Sequence, residues 1–144
     1  MSTVQSVLAK KGGQVVTIGV ADTALMAATL MNERAIGGLV VLDGGHVVGM
    51  FTERDILRRV VAMRRDPATT PVREVMTSPV AYCRRETTLD ECRAVMTEKR
   101  IRHLPVVDEK GVCGIVTIGD LMARDVTDQQ ATIQYLNEYI FGVR

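Results

Sequence analysis

The sequence has no tryptophan and only 3% aromatic residues, so it offers few flat side chains on which the bases of a single-stranded nucleic acid could stack. Its net charge of +1 gives no electrostatic reason to propose nucleic acid or an anionic membrane as the main partner. The three cysteines, Cys83, Cys92 and Cys113, form neither a disulfide framework nor a CxxC pair, and they read as reduced core thiols. No uninterrupted apolar run approaches the roughly 18 residues of a membrane span. The start Met1-Ser2-Thr3-Val4-Gln5 also lacks a charged region followed by an apolar one, so a cytoplasmic protein is expected. The two histidines, His46 and His103, belong to no evident set of nucleophile, base and orienter, and no metal-ligand cluster is seen; an enzyme is the least favoured class.

What is present is a globular composition, 47% hydrophobic and 24% charged over 144 residues, with enough chain for a substantial core. The organising stretch is Gly114-Ile115-Val116-Thr117-Ile118-Gly119-Asp120, an apolar run from a glycine to a threonine and an aspartate, which reads as a strand turning into a helix. The first N–H groups of a helix lack intrahelical partners and carry partial positive charge, so a phosphate is a natural guest there. Thr117 can donate its hydroxyl to a phosphate oxygen, whereas ionised Asp120 only accepts and suits two ribose hydroxyls. In a single copy, threonine and aspartate at such a turn are ordinary helix caps.

The chain contains the pattern twice. Gly49-Met50-Phe51-Thr52-Glu53-Arg54-Asp55 stands 65 positions earlier, and Met31, Ile36, Leu39 and Asp43 meet Met96, Ile101, Leu104 and Asp108 at the same offset. The first half reads as a strand over Val15–Val20, a helix from an Asp22-Thr23 cap through Met31, a hairpin of Gly38–Leu42 and Val47–Phe51, and a helix from Glu53 to Arg65. The second repeats it with a strand over Val80–Cys83, a helix over Thr88–Lys99, a hairpin of Leu104–Val107 and Val112–Val116, and a helix over Asp120–Asp125. This places a helical lead-in over 1–14 with its helix at Thr3–Lys10, repeats over 15–65 and 80–126, a connection over 66–79, and a terminal helix within 127–144. The apolar stripe of that last helix, Ile133, Leu136 and Ile140, suits either docking on its own core or a dimer contact.

Two such units, carrying Ile101-Arg102-His103-Leu104-Pro105-Val106 and the two heptads, resemble a pair of CBS domains, named after cystathionine β-synthase. The phrases Phe51-Thr52-Glu53-Arg54-Asp55 and Lys99-Arg100-Ile101-Arg102-His103-Leu104-Pro105 resemble the small prokaryotic CBS-pair proteins. The resemblance implies an α+β fold of tandem β-α-β-β-α motifs packed through their sheets about a pseudo-twofold axis, with two clefts, and commonly a homodimer. It also implies adenosine ligands (AMP, ADP, ATP, NAD(H) or S-adenosylmethionine) and a regulatory role toward a partner protein.

Carried across, Thr117 and Asp120 hold phosphate and ribose in one cleft, with Ile115, and Thr52 and Asp55 do so in the other. Arg102 and His103 match the family's phosphate-binding cations, although charges at a strand start also serve as solvated edge residues. Where the second repeat has Arg102-His103, the first has Gly37-Gly38, which removes cationic help but lets a ligand approach the backbone. Ile36 and Gly37 are expected to face the adenine of the nucleotide held by Thr117 and Asp120, the better-endowed cleft. The Thr52–Asp55 cleft is expected to draw its charge from Arg54 or a more distant arginine. If the threonines and aspartates are caps only, the alternative is a nucleotide-independent interaction or redox-partner protein.

Overall fold

Thr23 and Thr88, 65 positions apart, start equivalent helices. In the computed structural model, which describes residues 2–127, the Thr23 side chain caps α2 (Ala24–Arg34) by accepting from the Met26 amide. Thr88 caps α4 (Leu89–Lys99) in the same way from Glu91, whose carboxylate returns a bond to the Thr88 amide at 3.1 Å. Both helices end in a left-handed residue, Ala35 at φ 53° and Arg100 at φ 55°. The next amides, Ile36 and Ile101, reach back to the carbonyls of Met31 and Met96 at 3.0 Å, which satisfies helix-end carbonyls and turns the chain into the following strand.

Those strands are β2 (Gly38–Asp43), antiparallel to β3 (His46–Thr52), and β4 (His103–Asp108), antiparallel to β5 (Gly111–Thr117). The repeat extends to an irregularity of register, which falls between Val41 and Leu42 in one hairpin and between Val106 and Val107 in the other. β1 (Thr17–Gly19) adds to β2 in parallel. The strand expected over Val80–Cys83 contracts to a bridge between Cys83 and Val106, held by 2.9 Å bonds from Cys83 N–H to Pro105 and from Val107 N–H to the Cys83 carbonyl. Pro79 has no N–H to offer a ladder, and Pro79, Val80 and Ala81 line a cavity instead.

The helix expected over Glu53–Arg65 begins as α3 (Glu53–Asp55) and continues as a π-helix over Ile56–Val61, where the Ala62 amide reaches the Leu57 carbonyl at 2.9 Å. Apolar spacing over so short a stretch does not distinguish the wider winding from an α-helix. α5 (Ile118–Thr127) follows β5. The expected terminal helix around Ile133, Leu136 and Ile140 lies outside the described residues. Among the described residues, no helix is long and apolar enough to cross a membrane.

Two apolar cores result. Ile18, Met31, Leu39, Phe51 and Val60 form one, closed by Val72 and Val75 from the connection between the repeats. Leu89, Cys92, Met96, Leu104, Val116 and Leu121 form the other, closed by Val4, Val7 and Leu8 of α1 (Val4–Lys11). α1 stands first in the sequence yet completes the second core. Each cover crosses its sheet at a glycine: a Cβ on Gly114 would lie 2.5 Å from Leu8 Cδ2, and one on Gly49 would lie 2.8 Å from both Met76 Sδ and the Thr77 carbonyl oxygen. Because the Thr77 carbonyl is backbone, held by a 3.0 Å bond from Met50 N–H, it has little room to yield. Gly49→Ala is therefore expected to destabilise the protein by about 1–3 kcal/mol in urea unfolding, the range for forcing extra volume into a packed site; a change within error would show that this crossing is loose.

Candidate functional site

Both strand-to-helix turns close on themselves before any ligand is considered. Thr52 accepts from the Asp55 amide at 3.4 Å and Asp55 Oδ2 accepts from the Thr52 amide at 3.0 Å. Thr117 and Asp120 make the same reciprocal pair at 3.2 and 2.8 Å. Both pairs are thus capping boxes. What differs is the surroundings of each turn.

Thr52, Glu53, Arg54 and Asp55 line a cavity of about 460 Å³ together with Gly37, Met50, Thr77, Val80 and Ala81, and with Lys99, Arg100, Ile101, Arg102 and His103 from the end of α4 and the start of β4. The volume is in the range of small-molecule sites. Opposite the first turn, then, stands the cationic stretch of the second repeat. The link is physical: Arg54 Nη1 donates to the Arg100 carbonyl at 3.0 Å, so its guanidinium ties the turn to the left-handed residue that ends α4. Arg102, Lys99 and Arg100 supply positive charge around a cavity whose lining also includes Glu53 and Asp55.

The glycine pair of the first repeat makes this contact possible. A Cβ on Gly38 would sit 3.3 Å from His103 Nε2, and one on Gly37 would sit 2.6 Å from Glu53 Oε1 and 3.7 Å from the same imidazole. The space left by the missing side chains is filled by His103 and Glu53. Burial is the main cause that pushes the His103 imidazole below its ordinary value, with the Glu53 and Asp120 carboxylates opposing and Lys11 and Arg102 reinforcing the shift. His103 thus sits between the two turns and senses charges from both.

Asp55 is nearly inaccessible, at 5% exposure. Besides the Thr52 amide it accepts the Thr77 hydroxyl at 3.0 Å through Oδ1, which also faces Arg59 Nε at 3.6 Å. Asp120 has a different companion. Lys11, at the end of α1, places its ammonium 2.7 Å from Asp120 Oδ2 and 2.9 Å from the Ile115 carbonyl. Cys83 is held as a neutral thiol by its hydrogen bond with Cys92 and by burial, which fits a packing role.

The structure therefore brings Gly37, Thr52, Arg54, Asp55, Arg102 and His103 to one cavity. It places Gly38 against Thr52 and His103, and Ile36 in a neighbouring depression beside Met31, Gly37, Glu53 and Ile56. Ile36 and Gly37, expected beside the nucleotide of Thr117 and Asp120, thus stand with the first turn instead, because β2 that follows them pairs with β3, which ends at Thr52. Thr117, Asp120 and Ile115 lie with Lys11. The charge beside Thr52 and Asp55 comes from the second repeat as well as from Arg54. Sequence reasoning overlooked Glu53, Thr77, Lys99, Arg100 and Lys11. For the last a signal existed: carrying the 65-residue offset back before residue 15 sets Lys11 against Met76, at the end of the segment that covers the first sheet.

The CBS domain pattern matches residues 6–62 and 72–126, and the chain belongs to the CBS domain family as a tandem pair. It is 36% identical over 126 residues to the Arabidopsis thaliana CBS domain-containing protein CBSX3, mitochondrial, covering 84% of this chain and 61% of that relative's length. A solved CBS-domain protein from Burkholderia ambifaria is 40% identical with a TM-score of 0.85, over 89% of this chain and 96% of its own. The CBS domain pair of protein MJ0100, solved with 5′-methylthioadenosine and S-adenosyl-L-methionine, shares the fold at 24% identity and a TM-score of 0.80, over 90% of this chain and 99% of its own.

The depressed His103 value has a sign that can be checked. An imidazole that resists protonation in the folded state leaves the unfolded chain binding more protons on acidification, so its contribution is full above the ordinary value of 6.5 and is lost as pH falls through the lowered one. Urea unfolding of wild type and His103→Gln at pH 7.5 and 5.5 should show the larger loss on acidification in wild type. Equal losses would mean that the imidazole titrates as freely folded as unfolded.

Proposed function

We propose that the protein is a regulatory, non-catalytic CBS pair that binds an adenosine nucleotide (AMP, ADP, ATP or NAD(H)) and passes the bound state to a partner protein. The observation that carries this reading is the convergence of the Thr52–Asp55 turn of one repeat and the Arg102–His103 stretch of the other on a single cavity of nucleotide size. In this reading Arg102, His103 and the Thr52 hydroxyl take phosphate, assisted by Arg54. Met50, Val80 and Ile101 offer apolar surface to the base. A ribose hydroxyl engages Asp55 by replacing the Thr77 hydroxyl, one donor for another. Thr117, Asp120 and Ile115 belong to the related turn of the second repeat, while Gly38 and Ile36 stand on the side of the first. The adenosine compounds held by the same fold in MJ0100 support this ligand class.

The regulatory part follows from the placement of the walls. They belong to separate apolar cores, so a ligand that prefers one spacing of the two repeats would shift that spacing, which is what signalling to a partner requires. Leu57, Val61, Met63 and Met122 are large apolar side chains left exposed, and they suit a homodimer contact.

A second reading has its own observation. With 5% exposure and both oxygens engaged, Asp55 is already satisfied as a cap, as a nucleotide-independent interaction or redox-partner protein would have it. Thermal unfolding with AMP, ADP, ATP, NAD, NADH and S-adenosylmethionine separates the two. A ligand at 100 times its dissociation constant stabilises the native state by about 2.7 kcal/mol, a shift of several degrees in a domain of this size. Arg102→Ala, an exposed substitution, should leave the ligand-free midpoint nearly unchanged and remove most of the ligand-induced shift. No shift of wild type with any of the six at millimolar concentration would leave the capping-only reading in possession.

A further inference from the structure

The two strand-to-helix turns are related by the repeat, yet among the described residues only Asp120 has a lysine on it, while Asp55 faces Arg59 at 3.6 Å. Lys11 comes from outside the motif that carries Asp120, at the end of α1, and its ammonium bonds both the Asp120 carboxylate at 2.7 Å and the Ile115 carbonyl at 2.9 Å. The carboxylate oxygen it takes, Oδ2, is the one already accepting from the Thr117 amide. The aim of the side chain is fixed by the backbone beneath it. Leu8, one helical turn earlier, lies over Gly114, and a Cβ on Gly13 would meet the Cys113 carbonyl at 2.9 Å, so the end of α1 is pressed onto β5. At the related position in the other repeat, the covering segment presents Met76 and the neutral hydroxyl of Thr77 to the sheet and to Asp55.

We propose that Lys11 is an internal occupant of the Asp120 turn: its ammonium pairs with the carboxylate that a ribose would engage and leaves the Thr52–Asp55 cavity as the open nucleotide cleft of the chain. The proposal rests on the nucleotide-binding reading above. Its physical basis is a contest of donors. A ribose hydroxyl brings a neutral donor to the Asp120 carboxylate, whereas the ammonium brings a charged one that forms an ion pair as well as a hydrogen bond. The ammonium is also tethered, so it competes at an effective concentration in the millimolar range without paying for association. In the Thr52–Asp55 cavity the group hydrogen-bonded to the aspartate from the covering segment is a hydroxyl, and the Arg59 guanidinium stands farther off, at 3.6 Å. Removing the Lys11 ammonium should therefore uncover a second site that depends on Asp120, and should leave the first site intact.

Isothermal titration of the full chain with AMP and, separately, with ATP tests this by stoichiometry. Wild type is expected to bind one nucleotide per chain, Lys11→Ala two, and Lys11→Ala combined with Asp120→Ala one again. Lys11→Met, which keeps the methylene stem over β5 and loses only the charge, should behave as Lys11→Ala does and covers the event that the alanine variant loosens α1. Two nucleotides per chain in wild type, or one in all the lysine variants, would overturn the proposal while leaving the nucleotide-binding reading standing. Weaker or lost binding in the lysine variants would make Lys11 a phosphate contact and overturn it equally. Binding only by the lysine variants, and only with Asp120 present, would uphold the plug and remove the Thr52–Asp55 cavity as the open cleft. No binding by wild type or either variant would overturn both readings together.

Discussion

Each repeat depends on a close crossing made at a glycine. Gly49 in β3 and Gly114 in β5 let a separate segment lie directly on the sheet: the Val72–Thr77 stretch on the first and α1 on the second. Without those crossings neither core is closed, because Val72 and Val75 in one case and Val4, Val7 and Leu8 in the other are the buried side chains that complete them. The covers also satisfy backbone. The first helical amides, Ala24 and Leu89, donate to the carbonyls of Thr70 and Ser2 at 2.8 and 3.0 Å. A repeat of this kind is thus incomplete alone, and its closing segment comes from outside the strands and helices that define it.

The difference between the two strand-to-helix turns follows from which segment does the closing. The connection between repeats brings a threonine hydroxyl to Asp55, whereas the lead-in brings an ammonium to Asp120. The same geometry places the cationic end of α4 across from the first turn, with Arg54 clasping the Arg100 carbonyl and His103 filling the space that Gly37 and Gly38 leave. A fold with related halves therefore presents two unlike turns. Their asymmetry is written in a few residues: Lys11 against Met76, and Arg102-His103 against Gly37-Gly38.

Much of this was legible in the sequence, for reasons that can be named. The 65-residue offset is carried by residues whose structural demands are strict: threonine at a helix start, glycine where a backbone crosses, aspartate at the third position of a capped turn. Such positions survive translation into a fold class and into a list of candidate contacts, and Thr52, Asp55, Arg102 and His103 all stand at one cavity. What was not legible depends on contacts between segments far apart in the chain. Pattern alone read Val80–Cys83 as a strand because its residues favour one, but Pro79 withholds a donor and the segment turns to line the cavity. Likewise the lead-in read only as a short amphipathic helix, since nothing local in Val4, Val7 and Leu8 says which of two similar cores they complete.

The central claim is that one ligand site is built jointly by the two repeats, and amide NMR during titration with AMP addresses it most directly. The account predicts that chemical-shift changes appear together at Thr52, Arg54 and Asp55 of the first repeat and at Ile101, Arg102 and His103 of the second, saturating along a single binding curve. Changes confined to one repeat, or curves that differ between the two groups, would contradict a shared site.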